Sequence, residues 1–186
     1  MIYFTSDTHF GHANIIKYCN RPFATVAEMD EHMINQWNSR VKPGDTVYHL
    51  GDFGFDKPER LLEILKQLNG QKWLIWGNHD KTIQHSKDLQ QQFIKCVNLH
   101  ELSISDKDAS RESQKIVLCH YAMLVWNKSH HGAWMLHGHS HGSLKYPYQM
   151  KIMDVGVDTN DFAPISYDEV KVALQSVRTE VIDHHD

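Results

Sequence analysis

Lys72-Trp73-Leu74-Ile75-Trp76-Gly77-Asn78-His79-Asp80 is an apolar run that ends in a glycine followed by three polar, chemically capable side chains. A short continuous apolar stretch bounded by a turn residue reads as a buried strand, here Lys72 to Trp76. Immediately upstream, Leu61, Leu62, Leu65 and Leu68 recur at helical spacing behind Pro58, with Asp56 as the expected N-cap and Asn69-Gly70 as the stop. Further back, Thr46-Val47-Tyr48-His49-Leu50 is a second strand-like run, and it too ends in a glycine and a carboxylate, Gly51-Asp52. Before it, Val26, Met29, Met33, Ile34, Trp37 and Val41 form a helical stripe opened by the capping box Thr25-Val26-Ala27-Glu28 and stopped by Pro43-Gly44. At the start, Ile2-Tyr3-Phe4 runs into Thr5-Ser6-Asp7. Residues 1–80 therefore read as β-α-β-α-β, which implies a parallel sheet with right-handed crossovers. In such sheets ligands bind beyond the carboxyl ends of the strands, where all three polar segments fall.

Outward in the other direction the chain is richer in strands, expected over 94–99, 102–104, 115–119, 134–137 and 151–155. Residues 105–113 are polar and charged and read as a surface loop. Ser166-Tyr167-Asp168-Glu169 is a further capping box, opening a last helix through Val170, Ala173 and Leu174. The tail Asp183-His184-His185-Asp186 reads as frayed. With no repeat, linker or compositional break, residues 1–186 read as a single α/β domain, long enough to bury roughly 70% of the unfolded surface.

The formal charge, 19 − 23 = −4, argues against a general nucleic-acid coat or an extended nucleic-acid-binding surface. No apolar run is long enough to span a membrane, and Met1-Ile2-Tyr3-Phe4 lacks the charged start of a signal peptide, so a cytoplasmic protein is expected. Cys19, Cys96 and Cys119 show no C-x-x-C spacing and read as free thiols in a reducing compartment, with Cys119 a buried small hydrophobe after Ile116-Val117-Leu118. The unusual count is 15 histidines, which points to metal or acid–base chemistry.

Five segments carry that chemistry. Asp7 and His9 are two apart, so on extended backbone both point to one side, as two ligands on one ion require. Asp52 has two oxygens and can bridge two cations about 3.5–4 Å apart. In Gly77-Asn78-His79-Asp80 the Asn78 amide oxygen is a candidate ligand, while His79, one residue on, faces elsewhere and is free to donate a proton. Gly138-His139-Ser140-His141 repeats the two-apart logic with two imidazoles, and His120 directly follows a strand. Singly, each segment has an ordinary explanation: a capping Asp, a turn Asp, a hydrogen-bonded His. Their recurrence at strand ends with the same glycine punctuation is poorly explained that way.

Arg21, in Asn20-Arg21-Pro22-Phe23, is a candidate bidentate phosphate binder, and His12 and Asn14 lie beside the first segment. His137 is expected either to face opposite the immediate neighbours of His139 or to take a supporting role. His130 and His131 fit either a loop near the mouth or a solvated loop, and His32, His49, His85, His100, His184 and His185 have no assigned chemistry. Phe10, Trp126 and Trp134 fit either a stacking surface for a nucleobase or core packing.

Together, D-x-H at Asp7–His9, G-D at Gly51-Asp52, G-N-H-D at Gly77–Asp80, His120 and G-H-x-H at Gly138–His141 resemble the calcineurin-like metallophosphoesterase superfamily, over about three-quarters of the chain. Asp7-Thr8-His9-Phe10-Gly11-His12 and the short length are similar to small prokaryotic or phage-type members. The resemblance implies a four-layer αββα sandwich of two mixed β-sheets flanked by helices, with two divalent metal ions at the sheet ends: manganese first, with iron, zinc or nickel as alternatives. Asp7, His9 and His141 would hold one ion, Asn78, His120 and His139 the other, and Asp52 would bridge them. His79 corresponds to the general acid, with Asp80 as a candidate to orient it. Asn78, Arg21 and His12 are then candidates to contact the substrate phosphate. One departure stands out: where protein Ser/Thr phosphatases of this superfamily carry G-D-x-x-D-R-G, Phe55 replaces the carboxylate that orients the catalytic imidazole, and the Arg is absent. The expected activity is hydrolysis of phosphodiesters, nucleotide-like or small, by metal-activated hydroxide. A broad phosphomonoesterase, or a non-catalytic metal-binding interaction scaffold, is the alternative.

Overall fold

The computed structural model describes residues 1–109 and 112–183, so the expected frayed tail at His184, His185 and Asp186 lies outside the described residues. Four parallel strands, β1 (Ile2–Thr5), β2 (Thr46–His49), β3 (Gln71–Ile75) and β4 (Lys95–Val97), make the first sheet. A second group, β5 (Leu99–Ser105), β6 (Ser113–Cys119), β7 (Trp134–His137) and β8 (Ile152–Asp154), makes the other. A two-residue strand, β9 (Ile165–Ser166), returns antiparallel beside β1, giving the order β4-β3-β2-β1-β9. The second sheet runs β5-β6-β7-β8, antiparallel at its first pairing and parallel at the next two. The fold is α/β with two mixed sheets and flanking helices.

The helices are α1 (Ala13–Tyr18), α2 (Val26–Arg40), α3 (Pro58–Gln67), α4 (Lys81–Gln84), α5 (Lys87–Gln90) and α6 (Tyr167–Leu174). At α2 only half the expected box forms. Thr25 Oγ1 accepts from the Glu28 N–H, but the Glu28 carboxylate reaches past Thr25 to the Ala24 N–H at 2.9 Å. At α6 both halves of the box are present. Asp56 is not the N-cap of α3. Its carboxylate accepts from the Lys57 N–H, Lys57 is the cap residue, and Pro58 opens the helix with no N–H of its own to satisfy.

Alternation along β1 and β2 divides the core. Tyr3 and Val47 face one side, where Met29, Met33 and Trp37 of α2 and Leu61, Ile64 and Leu65 of α3 cover them. Phe4, Tyr48, Leu50 and Ile75 face the other side and pack against Ile116, Leu118, Trp134 and Leu136 of the second sheet, joined by Val170 and Leu174 of α6. Each such side chain gains about 1.5–3 kcal/mol from full burial. On the outer face of the second sheet, Val117, Met135 and Ile152 are covered by Trp126, Ala133 and Met150, so the last layer there is loop with one 3-10 turn at Ser129–His131.

This packing settles two readings. Phe10, Trp126 and Trp134 are buried core residues, not a stacking surface. Cys119 is only half-buried, because it ends β6 where the sheet opens, and all three cysteines are free.

Candidate metal centre

The loops following β1, β2, β3, β6 and β7 come together at one edge of the sandwich. Asp7, His9 and His141 form one group and Asp52, His120 and His139 another, with the ligand-type atoms of each group within 4.8 Å of one another. His139 and His141 thus fall in different groups. The two-apart logic on extended backbone does not describe these loops. Asp7 (φ 56°), His9 (φ 49°), Asp52 (φ 56°), His139 (φ 67°) and His141 (φ 46°) all adopt the left-handed conformation, so the chain kinks at five of the seven candidate ligands. Backbone hydrogen bonds fix the kinks: the Asp7 and His9 N–H groups donate to Gly51 O and Asp52 O, each at 3.0 Å.

Glycine is needed where loops touch. A Cβ at Gly138 would stand 1.8 Å from Ser6 Oγ and 2.5 Å from Asp7 Oδ2. With hydrogen there instead, the His139 N–H reaches Asp7 Oδ2 at 2.9 Å.

The electrostatics fit a cation at each group. Asp7 Oδ1 and His9 Nε2 are buried polar atoms with no hydrogen-bond partner. Burial pushes the Asp7 carboxyl up to about 8 and pulls the His9 imidazole down to about 2. A buried carboxylate oxygen and a buried imidazole nitrogen, both without a hydrogen-bond partner, fit ligands of a positive ion between them. In the second group, the His120 Nδ1–H donates to Leu50 O at 2.7 Å, which leaves Nε2 as an acceptor. That lone pair faces the Asn78 amide oxygen at 3.0 Å and Asp52 Oδ2 at 3.6 Å. Three acceptors pointing at one another is a ligand arrangement, not a hydrogen-bonded one. Asp52 Oδ2 is also 3.6 Å from His9 Nε2, so one carboxylate oxygen lies between the two groups. Asp52 Oδ1 accepts the His79 backbone N–H at 2.8 Å, which fixes the carboxylate plane.

A third group, Cys19, His141 and Asp158, shares His141 with the first. Asp158 already holds Arg21 through both oxygens at 2.8 Å and accepts from His141 Nδ1 at 2.6 Å, so three of its roughly four acceptor sites are taken.

His79 is exposed at the rim, its ring 5.6 Å from His9 and edge-on to Phe55 at 5.9 Å. Asp80 does not orient it. It is fully buried, and its two oxygens accept the backbone N–H groups of Asp52, Phe53 and Gly77 at 3.0, 2.9 and 2.7 Å. Asp80 is a clamp that joins the β2 and β3 loops, and burial raises its carboxyl to about 6. Arg21 does not await a phosphate either. Its five N–H donors are taken by Asp158 twice, the Asp7 and Thr8 carbonyls, and Met29 Sδ. It is buried beneath the first loop and holds it in place.

His12 is half-buried, its Nδ1 3.5 Å from His9 Nδ1 and its ring 4.9 Å from that of Phe55. Asn14 is exposed on α1. His137 supports the loop after β7, its Nδ1–H donating to Gly138 O at 2.7 Å. His130 and His131 precede β7 and lie at its far end, away from the mouth. His49 is buried and bonds Thr8 Oγ1 at 2.9 Å. Two residues at the mouth had no motif to mark them. Tyr121 is exposed, lies against His139 and His120, and donates its hydroxyl to Asn78 Oδ1 at 3.3 Å. Asp158 emerges only from its contacts. Tyr121 directly follows His120, and that adjacency was the sole available signal.

The calcineurin-like phosphoesterase superfamily domain model matches residues 1–155. An uncharacterized protein of the archaeon Methanocaldococcus jannaschii is 36% identical over 174 residues, covering 90% of this chain and 87% of that protein. The gene 66 protein of mycobacteriophage L5 is 36% identical over 81 residues, 42% of this chain and 39% of its own length. Among solved structures, a protein of unknown function from Aquifex aeolicus matches with a TM-score of 0.69 and 28% identity, over 93% of this chain and 98% of its own. The superfamily is one of metal-dependent phosphoesterases, and archaeal and phage relatives accord with a small prokaryotic or phage-type member. The chain belongs to the calcineurin-like phosphoesterase superfamily.

Proposed function

We propose that this protein is a binuclear metal-dependent phosphoesterase that hydrolyses phosphodiesters, nucleotide-like or small, as a single cytoplasmic domain. The observation that carries the binuclear reading is Asp52 Oδ2, placed 3.6 Å from both His9 Nε2 and His120 Nε2. Asp7, His9 and His141 would hold one ion, Asn78, His120 and His139 the other, with Asp52 shared. Manganese is the first choice and iron, zinc or nickel the alternatives, since mixed nitrogen and oxygen donors select weakly among them. When bound, such a pair supplies Lewis acidity to the phosphoryl group and a water acidified from 15.7 to about 7.

The chain's own residues do the rest. His79, exposed above His9, donates a proton to the leaving oxygen. Asp80 keeps the two ligand loops in register through three N–H groups. His12 and Asn78 line the phosphate approach. Phe55 is 54% and Tyr121 48% exposed beside the two groups, and such aromatic faces suit an ester bearing a base or ring. With Phe55 in place of a carboxylate, protein dephosphorylation is disfavoured.

The test is a screen of chelator-stripped, metal-reconstituted protein against linear diesters, cyclic nucleotides and monoesters. Diester turnover that requires about two equivalents of metal is expected. Turnover of monoesters alone would make it a phosphomonoesterase. A metal-loaded protein with no turnover in any class would make it a scaffold.

A further inference from the structure

Past β8, beyond the stretch matched by the family model, the chain makes a 3-10 turn at Val157–Thr159 that drives a carboxylate under the first ligand group. Asp158 Oδ2 is 2.6 Å from His141 Nδ1, while Arg21 grips the same carboxylate from behind through Nε and Nη2, each at 2.8 Å. The guanidinium is fully buried and the carboxylate nearly so. Arg21 also holds the carbonyls of Asp7 and Thr8, so one cation fixes both the first ligand loop and the carboxylate behind His141. We propose that Asp158 is a positioning residue, held by Arg21, that fixes His141 as the Nδ1–H tautomer and aims its Nε2 lone pair at the ion shared with Asp7 and His9.

The chemistry follows from the imidazole. A neutral ring has one donor and one acceptor, and a carboxylate accepts only, so a 2.6 Å contact at Nδ1 places the proton there. Nε2, which lies 4.0 Å from Asp7 Oδ1, is then the free lone pair. The hydrogen bond also makes the ring a better donor and stops it rotating, which matters because His141 sits on a left-handed backbone in a glycine-flanked loop with its side chain 20% exposed. His120 achieves the same end through Leu50 O, a neutral acceptor. The two ligand groups therefore differ: one histidine is backed by a charged pair and the other by a carbonyl. Because Arg21 neutralises Asp158, this backing adds no net negative charge beneath the site.

The inference rests on the proposal that Asp7, His9 and His141 hold an ion, and two measurements separate the failures. In the metal-free wild-type protein, at a pH high enough for the His141 ring to be neutral, long-range proton–nitrogen correlation of the ring should report Nδ1–H. An Nε2–H tautomer overturns the inference whatever the metal does. Calorimetric titration with Mn²⁺ should show two binding events in the wild type. In Asp158→Asn one event should weaken by about 10–100-fold, with the other shifted by less than about threefold. Equal weakening of both events, or of neither, would mean that Asp158 only supports the fold. If Asp158→Asn does not fold, Asp158→Glu takes its place: weakening confined to one event supports the role, and equal weakening of both events or of neither overturns it. Absence of any binding event in the wild type removes the ion reading, and the inference with it.

Discussion

At the scale of single residues, the site separates into groups with free valence and groups without it. Asp80 and Arg21 are charged residues beside the site, yet neither is available to it: Asp80 accepts three backbone N–H groups, and Arg21 spends its donors on Asp158, Met29 and the carbonyls of Asp7 and Thr8. His79 is the opposite case: exposed, with only ring contacts to its neighbours. Removing it should therefore alter chemistry and leave the fold alone. His79→Ala is expected to lower kcat by about 10²–10⁴-fold on esters with poor leaving groups and to leave good leaving groups nearly untouched. A leaving-group series with the reconstituted enzyme checks this, and a uniform loss across the series would end the general-acid assignment. The candidate groups that the fold brings together were legible because Asp, Asn and His at glycine-marked strand ends have few other reasons to recur. The roles of Arg21 and Asp80 were not legible, since motif spacing says which residues are near a site but not whether their donors and acceptors are already taken.

At the scale of elements, the caps decide how firmly short segments are held. Helix α6 has eight residues and depends on its box: Ser166 Oγ accepts from the Glu169 N–H, and Glu169 returns a bond to the Ser166 N–H at 2.8 Å. Ser166 is also half of β9, so the cap and the edge pairing with Tyr3 stand together. Ser166→Ala should cost about 1 kcal/mol in denaturant unfolding, with faster amide exchange through Val170. Long elements with a complete apolar stripe, α2 and α3 and the strands β1 to β3, could be read from sequence to within a residue or two. The elements α1, α4, α5 and β9 could not. Each is six residues or fewer, too short for periodicity to register, and the N-cap residue of α1, His12, makes no side-chain cap hydrogen bond. They exist because the larger framework supplies their contacts.

At the scale of the whole molecule, the parallel strand ends of one sheet and the β6 and β7 ends of the other deliver their loops to a single edge. Elsewhere the sandwich is held by fasteners such as Asp106, just past β5, which accepts from Lys171 Nζ at 2.8 Å and from the Tyr167 hydroxyl of α6. Lys171, then Tyr167, holds the Asp106 carboxyl down at about 2. Because the folded value lies below the unfolded value of about 3.9, the link stabilises the fold above that pH and loses its effect as pH falls toward 2. Asp106→Asn should thus unfold at lower denaturant than wild type at pH 7, and the two midpoints should converge near pH 2. A gap that persists at pH 2 would assign the loss to packing instead of charge.

The left-handed backbone at Asp7, His9, Asp52, His139 and His141 has one more consequence. Each is a position where glycine would sit more comfortably, and the left-handed region costs other residues about 1–2 kcal/mol. His139 is exposed, so its side chain returns little in burial. His139→Gly is expected to melt about 2–4 °C higher than wild type in chelator, even as it loses one proposed ligand. A fold left to accumulate substitutions for stability alone would erase these side chains first. Their presence at five strained positions is the mark of a protein held to its task at the expense of its own robustness.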